Sequence, residues 1–298
     1  MNTIVADLRL STVLARMVRL FIFAVVLAVF WFGLNFTLPE LQASGISMIV
    51  VRFTIYGVIL VGLWLGLSRT DFDSRTRLLT WLAIVVPLTA WLATAWALAI
   101  EGVFRTPPGG VPRLPFAIFI PILVGLLLLT RSKRVAAILA VTPPSWLIGV
   151  QVYRIFGGIF LVQWASGNAP GVFALPAGTG DVLVGLLALP VAAYLQSGAW
   201  HGRAAAYAWN LLGLLDLAVA VGLGFLSSPG RFQLLALDQP NVLTSTYPTA
   251  MIPAFGVPSS IILHGLSLWQ LRRPSRKEIV TPNLDAHQPQ WNKPQPAP

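Results

Sequence analysis

The sequence predicts an all-α, polytopic transmembrane bundle of eight helices, and three observations point to it. Of 298 residues, 56% are hydrophobic and only 10% charged, whereas soluble domains carry about 25% charged residues. A water-soluble fold of this size has too much surface to hide that many apolar side chains, and the mean hydropathy of +0.76 agrees. Eight apolar runs are each long enough to cross roughly 30 Å of hydrocarbon at about 1.5 Å per residue. Arginine and lysine cluster between alternate runs, as the positive-inside rule expects.

The first run, 20–38, follows Arg9, Arg16 and Arg19 and so has the outline of a secretory signal. It is long enough to span, and no small-x-small cleavage site follows it closely, so it reads as a retained helix. The next runs lie near 46–68 and 78–100. The fourth, near 115–130, is short and contains Pro121. Residues 135–144 are apolar but end in Pro143-Pro144, which fits an interfacial stretch or an extension of the following helix. The last four runs fall near 145–166, 174–195, 204–226 and 251–271, completing a transmembrane domain over 1–271. Residues 272–298 are rich in proline and polar residues and read as a disordered cytoplasmic tail.

Charge gives an independent orientation. With the N-terminus inside, fifteen of the twenty basic residues fall in cytoplasmic segments: Arg9, Arg16, Arg19, Arg69, Arg75, Arg77, Arg131, Lys133, Arg134, Arg203, Arg272, Arg273, Arg276, Lys277 and Lys293. Only Arg105, Arg113 and Arg231 fall outside, and Arg52 and Arg154 lie within helices. Removing one helix spoils this asymmetry, so both termini are expected in the cytoplasm. Trp64, Trp81, Trp146, Trp200 and Trp269 sit near helix ends, as interfacial anchors do. Gly62-x-x-x-Gly66 suits close helix packing. Two outer loops stand out: 102–114, stiffened by Pro107, Pro108 and Pro112, and 227–250, whose apolar part near 232–237 fits a membrane surface or a cap over the bundle.

Composition also excludes chemistry. The chain has no cysteine, so disulfides, thiolate metal sites and thiol catalysis are ruled out. Its three histidines are His201, His264 and His287, and only His264 falls in a predicted helix. No Walker motif is present. The formal charge of +10 is dispersed in short clusters between apolar runs, which argues for a bilayer as partner and against nucleic acid. No metal or cofactor is implied, and oligomeric state is not legible.

Ionisable groups inside a membrane are costly and are usually paired or functional. The candidate site gathers Gln151, Arg154, Asp181, Asn210, Asp216 and His264, all in the second half of the chain. Gln151, Arg154 and Gly158 share one face at α-helical spacing, as do Ser260, His264 and Ser267. Two intramembrane arginines face two intramembrane aspartates, so Arg154 is expected to pair with Asp181, Asp216 or both. Arg52, nearer the outer interface, is expected to reach headgroups. Gly167, Pro170, Gly171, Pro176, Gly178 and Gly180 precede Asp181. So many helix breakers predict an irregular or re-entrant segment, against the plainer reading of an outer loop with Asp181 as a helix cap. A Ser260–His264–Asp216 hydrolytic triad is disfavoured by its geometry, and the arginine and glycine shared by Arg52–Gly57 and Arg154–Gly158 are too little to establish an inverted repeat.

The run Gln151-Val-Tyr-Arg154, then Pro170, Phe173-Ala174, Ala177-Gly-Thr-Gly-Asp181 and His264 resembles a set of uncharacterised bacterial multi-pass membrane proteins over roughly 145–270. The resemblance implies a bacterial inner membrane and carries no activity. Three functions remain open. The first is a small-solute or proton-coupled carrier using the buried polar site. The second is an accessory protein whose Arg–Asp cluster only locks helix packing. The third, an enzyme acting on lipid, lacks an identifiable nucleophile or metal.

Overall fold

The computed structural model describes residues 2–107 and 109–273; the expected tail lies outside them except for its first two residues. The described residues are helical and contain no strand. Eight helices are long and apolar enough to cross a membrane: Ser11–Thr37, Ile46–Leu67, Ser74–Ile100, Leu114–Arg131, Ser145–Ala165, Gly171–Gln196, Gly202–Ser227 and Ile252–Leu271. The chain is therefore a multi-pass membrane protein whose outer faces contact lipid. Burial is uneven: 67% and 61% of the most apolar window is buried in the fifth and eighth spans, against 6% in the fourth and 11% in the first. The fifth and eighth spans form the centre, with the sixth against the fifth, seventh and first, and the eighth against the fourth and seventh.

Local chemistry sets the helix ends. The first helix begins at Asn2, well before residue 20, because no proline or glycine interrupts residues 2–19. The third span begins at Ser74 because the Asp73 carboxylate accepts a hydrogen bond from the Thr76 N–H at 3.3 Å. The Thr76 hydroxyl and N–H together hold the Asp73 carboxyl below the usual carboxylate range. A depressed folded-state value means the cap is fully effective above the ordinary aspartate range and is lost as pH falls through that lower value. Asp73→Ala is accordingly expected to speed amide hydrogen exchange in the first turn of this helix. Acidification of the native chain should reproduce the effect relative to intrinsic exchange rates.

Residues Lys133–Val141 form a separate short helix, capped by Ser132 and ended before Pro143. It is not an extension of the fifth span. Gln270 ties it to the eighth span by donating to the carbonyls of Leu139 (2.7 Å) and Thr142 (2.6 Å). Lipid supplies no hydrophobic force between helices, so close approach and polar contacts hold a bundle. A Cβ on Gly125 would stand 2.7 Å from Ile262, and one on Gly265 would stand 2.6 Å from Leu126, so the fourth and eighth spans interlock through two glycines. In Gly62-x-x-x-Gly66 only Gly66 packs, against Ile138 and Thr142; Gly62 meets nothing within 4 Å.

From Gly171 onward the breaker-rich stretch before Asp181 is a continuous helix, Gly171–Gln196, with Asp181 inside it and not at its cap; only Gly167 and Pro170 lie in the turn that precedes it. Pro170 caps it in an extended conformation, and Pro176 is accommodated inside it. Its glycines serve packing: a Cβ on Gly178 would meet Leu161 at 2.7 Å, and one on Gly185 would meet the Ile155 amide nitrogen at 2.5 Å. The irregularity lies one span earlier. Residues Val150–Gly158 are wound as a 3₁₀-helix within the fifth span, far longer than the three or four residues usual for that form. A five-residue π-helical stretch, Ile252–Gly256, opens the eighth span where Pro253 and Gly256 occur.

The 101–113 and 228–251 loops touch each other, since the Arg231 N–H donates to the Gly110 carbonyl at 2.9 Å. Leu234 and Leu237 point outward, 70% and 72% exposed. At the opposite face, Arg69 stacks 4.2 Å from the Trp146 ring and Arg273 3.8 Å from the Trp269 ring. These are the cation–π contacts expected where basic side chains meet an aromatic belt.

A buried Arg154 cluster as the candidate functional site

The 3₁₀ winding changes which residues share a face. At three residues per turn, Gln151, Arg154 and Gly157 align. Gly157 therefore faces Asp181, while Gly158, expected on that face from α-helical spacing, turns toward Phe32 and Val182. Arg154 points into the bundle with its side chain 1% exposed. Its Nε donates to Asp181 Oδ1 at 2.7 Å, and its Nη2 pairs with both Asp181 (2.7 Å) and Asp216 Oδ2. The sixth and seventh spans thus each contribute one carboxylate to a single guanidinium. The third guanidinium nitrogen, Nη1, donates to the Gly213 carbonyl at 3.3 Å and faces His264 Nε2 at 3.3 Å.

The network fixes the state of His264. Guanidinium has donors only, so His264 Nε2 is the acceptor and the ring proton sits on Nδ1. Nδ1 then donates to Asn210 Oδ1 at 2.9 Å. Asn210 Nδ2 donates in turn to the Ala206 carbonyl (2.8 Å) and to Ser267 Oγ (3.1 Å). Trp209 lies 4.9 Å from the His264 ring and donates to the Val184 carbonyl at 3.0 Å. The imidazole is neutral here, and a second proton would set two cations face to face. Ser260 is paired with Tyr153 Oη (2.9 Å) and donates to the Gly256 carbonyl, not to His264. No hydrolytic triad is formed.

Five of the six sequence-predicted residues are thereby joined: Arg154, Asp181, Asn210, Asp216 and His264. Gln151 is fully buried but does not join them. Its Nε2 turns back to the Leu147 carbonyl at 3.4 Å, and its Oε1 makes no hydrogen bond among the described residues. The glycines that make room for the ion pairs escaped sequence reasoning as site residues. A Cβ on Gly157 would collide with the Asp181 carboxylate, one on Gly180 with Asp216, and one on Gly213 with the His264 ring. Their signal was present as small residues on helices that also carry charge.

A cavity of about 70 Å³ reaches the cluster from the face bearing the 101–113 and 228–251 loops. Its walls are largely apolar, including Phe104, Phe160, Phe173, Leu217 and Phe225, and Asp181 is the one charged residue lining it. A water needs at least about 10–15 Å³ of such space, so several waters fit. Among the described residues no three His, Asp or Glu side chains gather as metal ligands.

Arg52 lies apart from this cluster and does not reach toward headgroups. It is 2% exposed, with its guanidinium carbon 4.1 Å from the Trp96 ring centroid. The aromatic face offers a cation a better surface than lipid does, which accounts for its inward turn.

No curated protein and no solved structure matches the chain. A family model matches residues 111–272, more than half of the chain and the whole stretch that builds the Arg154 cluster. The chain belongs to the family described as Domain of unknown function (DUF8737).

Proposed function

We propose that this protein is a membrane carrier for protons or a small solute, with the Arg154 cluster as its ion-coupling site. The observation that carries this reading is the double position of Asp181, which is both a partner of Arg154 and the charged group lining the cavity. Two ionised carboxylates on one guanidinium leave one negative charge uncompensated in a low-dielectric interior, which is costly. A proton or small cation arriving through the cavity neutralises it. Asp181, which lines the cavity, receives the charge first, and Asp216, which does not line it, is joined to it through Arg154. Broken or rewound helices at mid-depth accompany binding sites in carriers, and the 3₁₀ stretch around Arg154 fits that pattern. The cavity volume favours a proton or ion over a drug-sized solute, for which pockets of roughly 300–1,000 Å³ are usual.

This reading includes an orientation with both termini in the cytoplasm, a membrane domain over 1–271 and a solvated tail over 272–298. The basic clusters support the orientation. Assignment to a bacterial inner membrane rests on the sequence resemblance alone. The test is proton flux into liposomes holding the purified protein, an internal pH dye and an imposed potassium-diffusion potential. The native chain is expected to exceed empty liposomes, and Asp181→Asn to abolish the excess while remaining folded. Equal flux from native protein, Asp181→Asn and empty liposomes overturns the carrier reading.

One observation favours a second reading, a structural lock. Among the described residues no buried nitrogen or oxygen of Arg154, Asn210 or His264 lacks a partner. Under that reading Asp216→Asn lowers thermal stability and alters nothing else.

A further inference from the structure

We infer that Arg52 is the recognition group of a second site, one that binds an oxyanion of the phosphate type near the membrane face bearing the 101–113 and 228–251 loops. Among the described residues Arg52 and Arg154 are buried within the bundle, and the two half-buried aspartates of the spans, Asp181 and Asp216, both belong to Arg154. Arg52 therefore has no share in the internal charge balance. Its Nε, Nη1 and Nη2 are all buried and make no hydrogen bond among the described residues, and no carboxylate among them pairs with it. Tyr247 is its polar neighbour, with its ring centroid 5.8 Å from the guanidinium carbon and its hydroxyl close enough to interact with the guanidinium but outside ordinary hydrogen-bond geometry, so a neutral phenol is the most polar side chain that meets this cation.

An isolated buried cation is expensive, and a cation–π contact returns only about 0.5–2 kcal/mol. Stacking on Trp96 holds the guanidinium plane and leaves the donors at its edge unspent. Two parallel N–H groups from one planar fork match the oxygens of a phosphate or phosphodiester. Arg52 stands six residues into the second span, roughly 9 Å along the helix from its end at 1.5 Å per residue. That depth lies beneath the headgroup layer and within reach of the loops. The local cover consists of two short segments that meet: Gly45, at a φ of 77°, stands so close to Pro248 that a Cβ there would lie 3.0 Å from the ring. Parting of the Tyr247–Pro248 segment from Gly45 opens the route to the guanidinium. The phosphate source is either a lipid headgroup or the free anion, and both present the same oxygens to Arg52. This site is separate from the Arg154 cluster and stands whether or not the chain is a carrier.

The test is the thermal midpoint of the purified full-length protein, in two arms. In neutral detergent, sodium phosphate is titrated against sodium chloride at matched ionic strength. In nanodiscs, phosphatidylcholine alone is compared with phosphatidylcholine containing phosphatidylglycerol. The native chain is expected to gain several degrees saturably in at least one arm. Response to free phosphate identifies a soluble ligand, and response to phosphatidylglycerol alone identifies a headgroup. Arg52→Gln should lose the response. Arg52→Lys, which keeps the charge without the fork, should need roughly tenfold more ligand. If Arg52→Gln fails to fold, the Arg52→Lys shift in concentration decides. No saturable gain in either arm, or the same gain in both variants as in the native chain, overturns the inference.

Discussion

Arg154→Gln is expected to destabilise the protein by about 3–5 kcal/mol, the usual cost of removing one partner from a buried ion pair. The cost arises less from lost attraction than from what remains. Asp181 and Asp216 would face each other in the bundle with no cation between them, and the Gly213 carbonyl and His264 Nε2 would lose their shared donor. The triple variant Arg154→Gln, Asp181→Asn, Asp216→Asn should recover most of the loss, because it deletes every charge together and leaves amides that hydrogen-bond among themselves. Thermal unfolding in detergent measures both. The triple variant also separates the two functional readings. A lock without charge still holds helices, whereas a coupling site without a titratable group moves nothing. A folded triple variant with native flux would leave no role for the cluster in transport. If the single variant is as stable as the native chain, the three groups are not the tightly enclosed cluster described above.

The fold was legible because lipid imposes a crude rule: length and apolarity mark each span, and the count of eight follows. The location of the polar groups was equally open to reading, since charge in an apolar run is conspicuous. Local winding was the hidden part. Proline and glycine before Asp181 predicted disorder of the helix, yet a helix whose neighbours approach closely needs glycine, and Gly178 and Gly185 are spent on Leu161 and Ile155. Nothing in Val150–Gly158 announced three residues per turn, because that winding answers to packing against the sixth span rather than to propensity. The consequence fell on a single residue choice, Gly157 in place of Gly158. Charge counting narrowed the partners of Arg154 to Asp181, Asp216 or both, and the bundle gives it both carboxylates.

Glycine-to-alanine substitutions should split in sign across this protein, and the split maps the site. In an ordinary helix position alanine is better than glycine by about 0.8–1.0 kcal/mol. Gly57, Gly62 and Gly222 have nothing within 4 Å of an added Cβ, so alanine there should be neutral or stabilising. At Gly157, Gly180 and Gly213 the same methyl meets Asp181, Asp216 or His264. Overpacking of a close-packed interior costs about 1–3 kcal/mol, which outweighs the helix-propensity gain. Gly213→Ala is the most informative of the three. Its methyl would press on His264 and also lie 3.1 Å from Arg154 Nη1, so it strikes the cation and its neutral acceptor together. Relief requires His264 to turn from Asn210, Arg154 to retreat toward the carboxylates, or the seventh and eighth spans to separate. Each relief breaks a hydrogen bond that crosses between helices. Thermal midpoints for the six variants, measured side by side, provide the test. Equal behaviour of the two groups would mean that the spans tolerate a methyl beside the ion pairs, and that the cluster is looser than its distances imply.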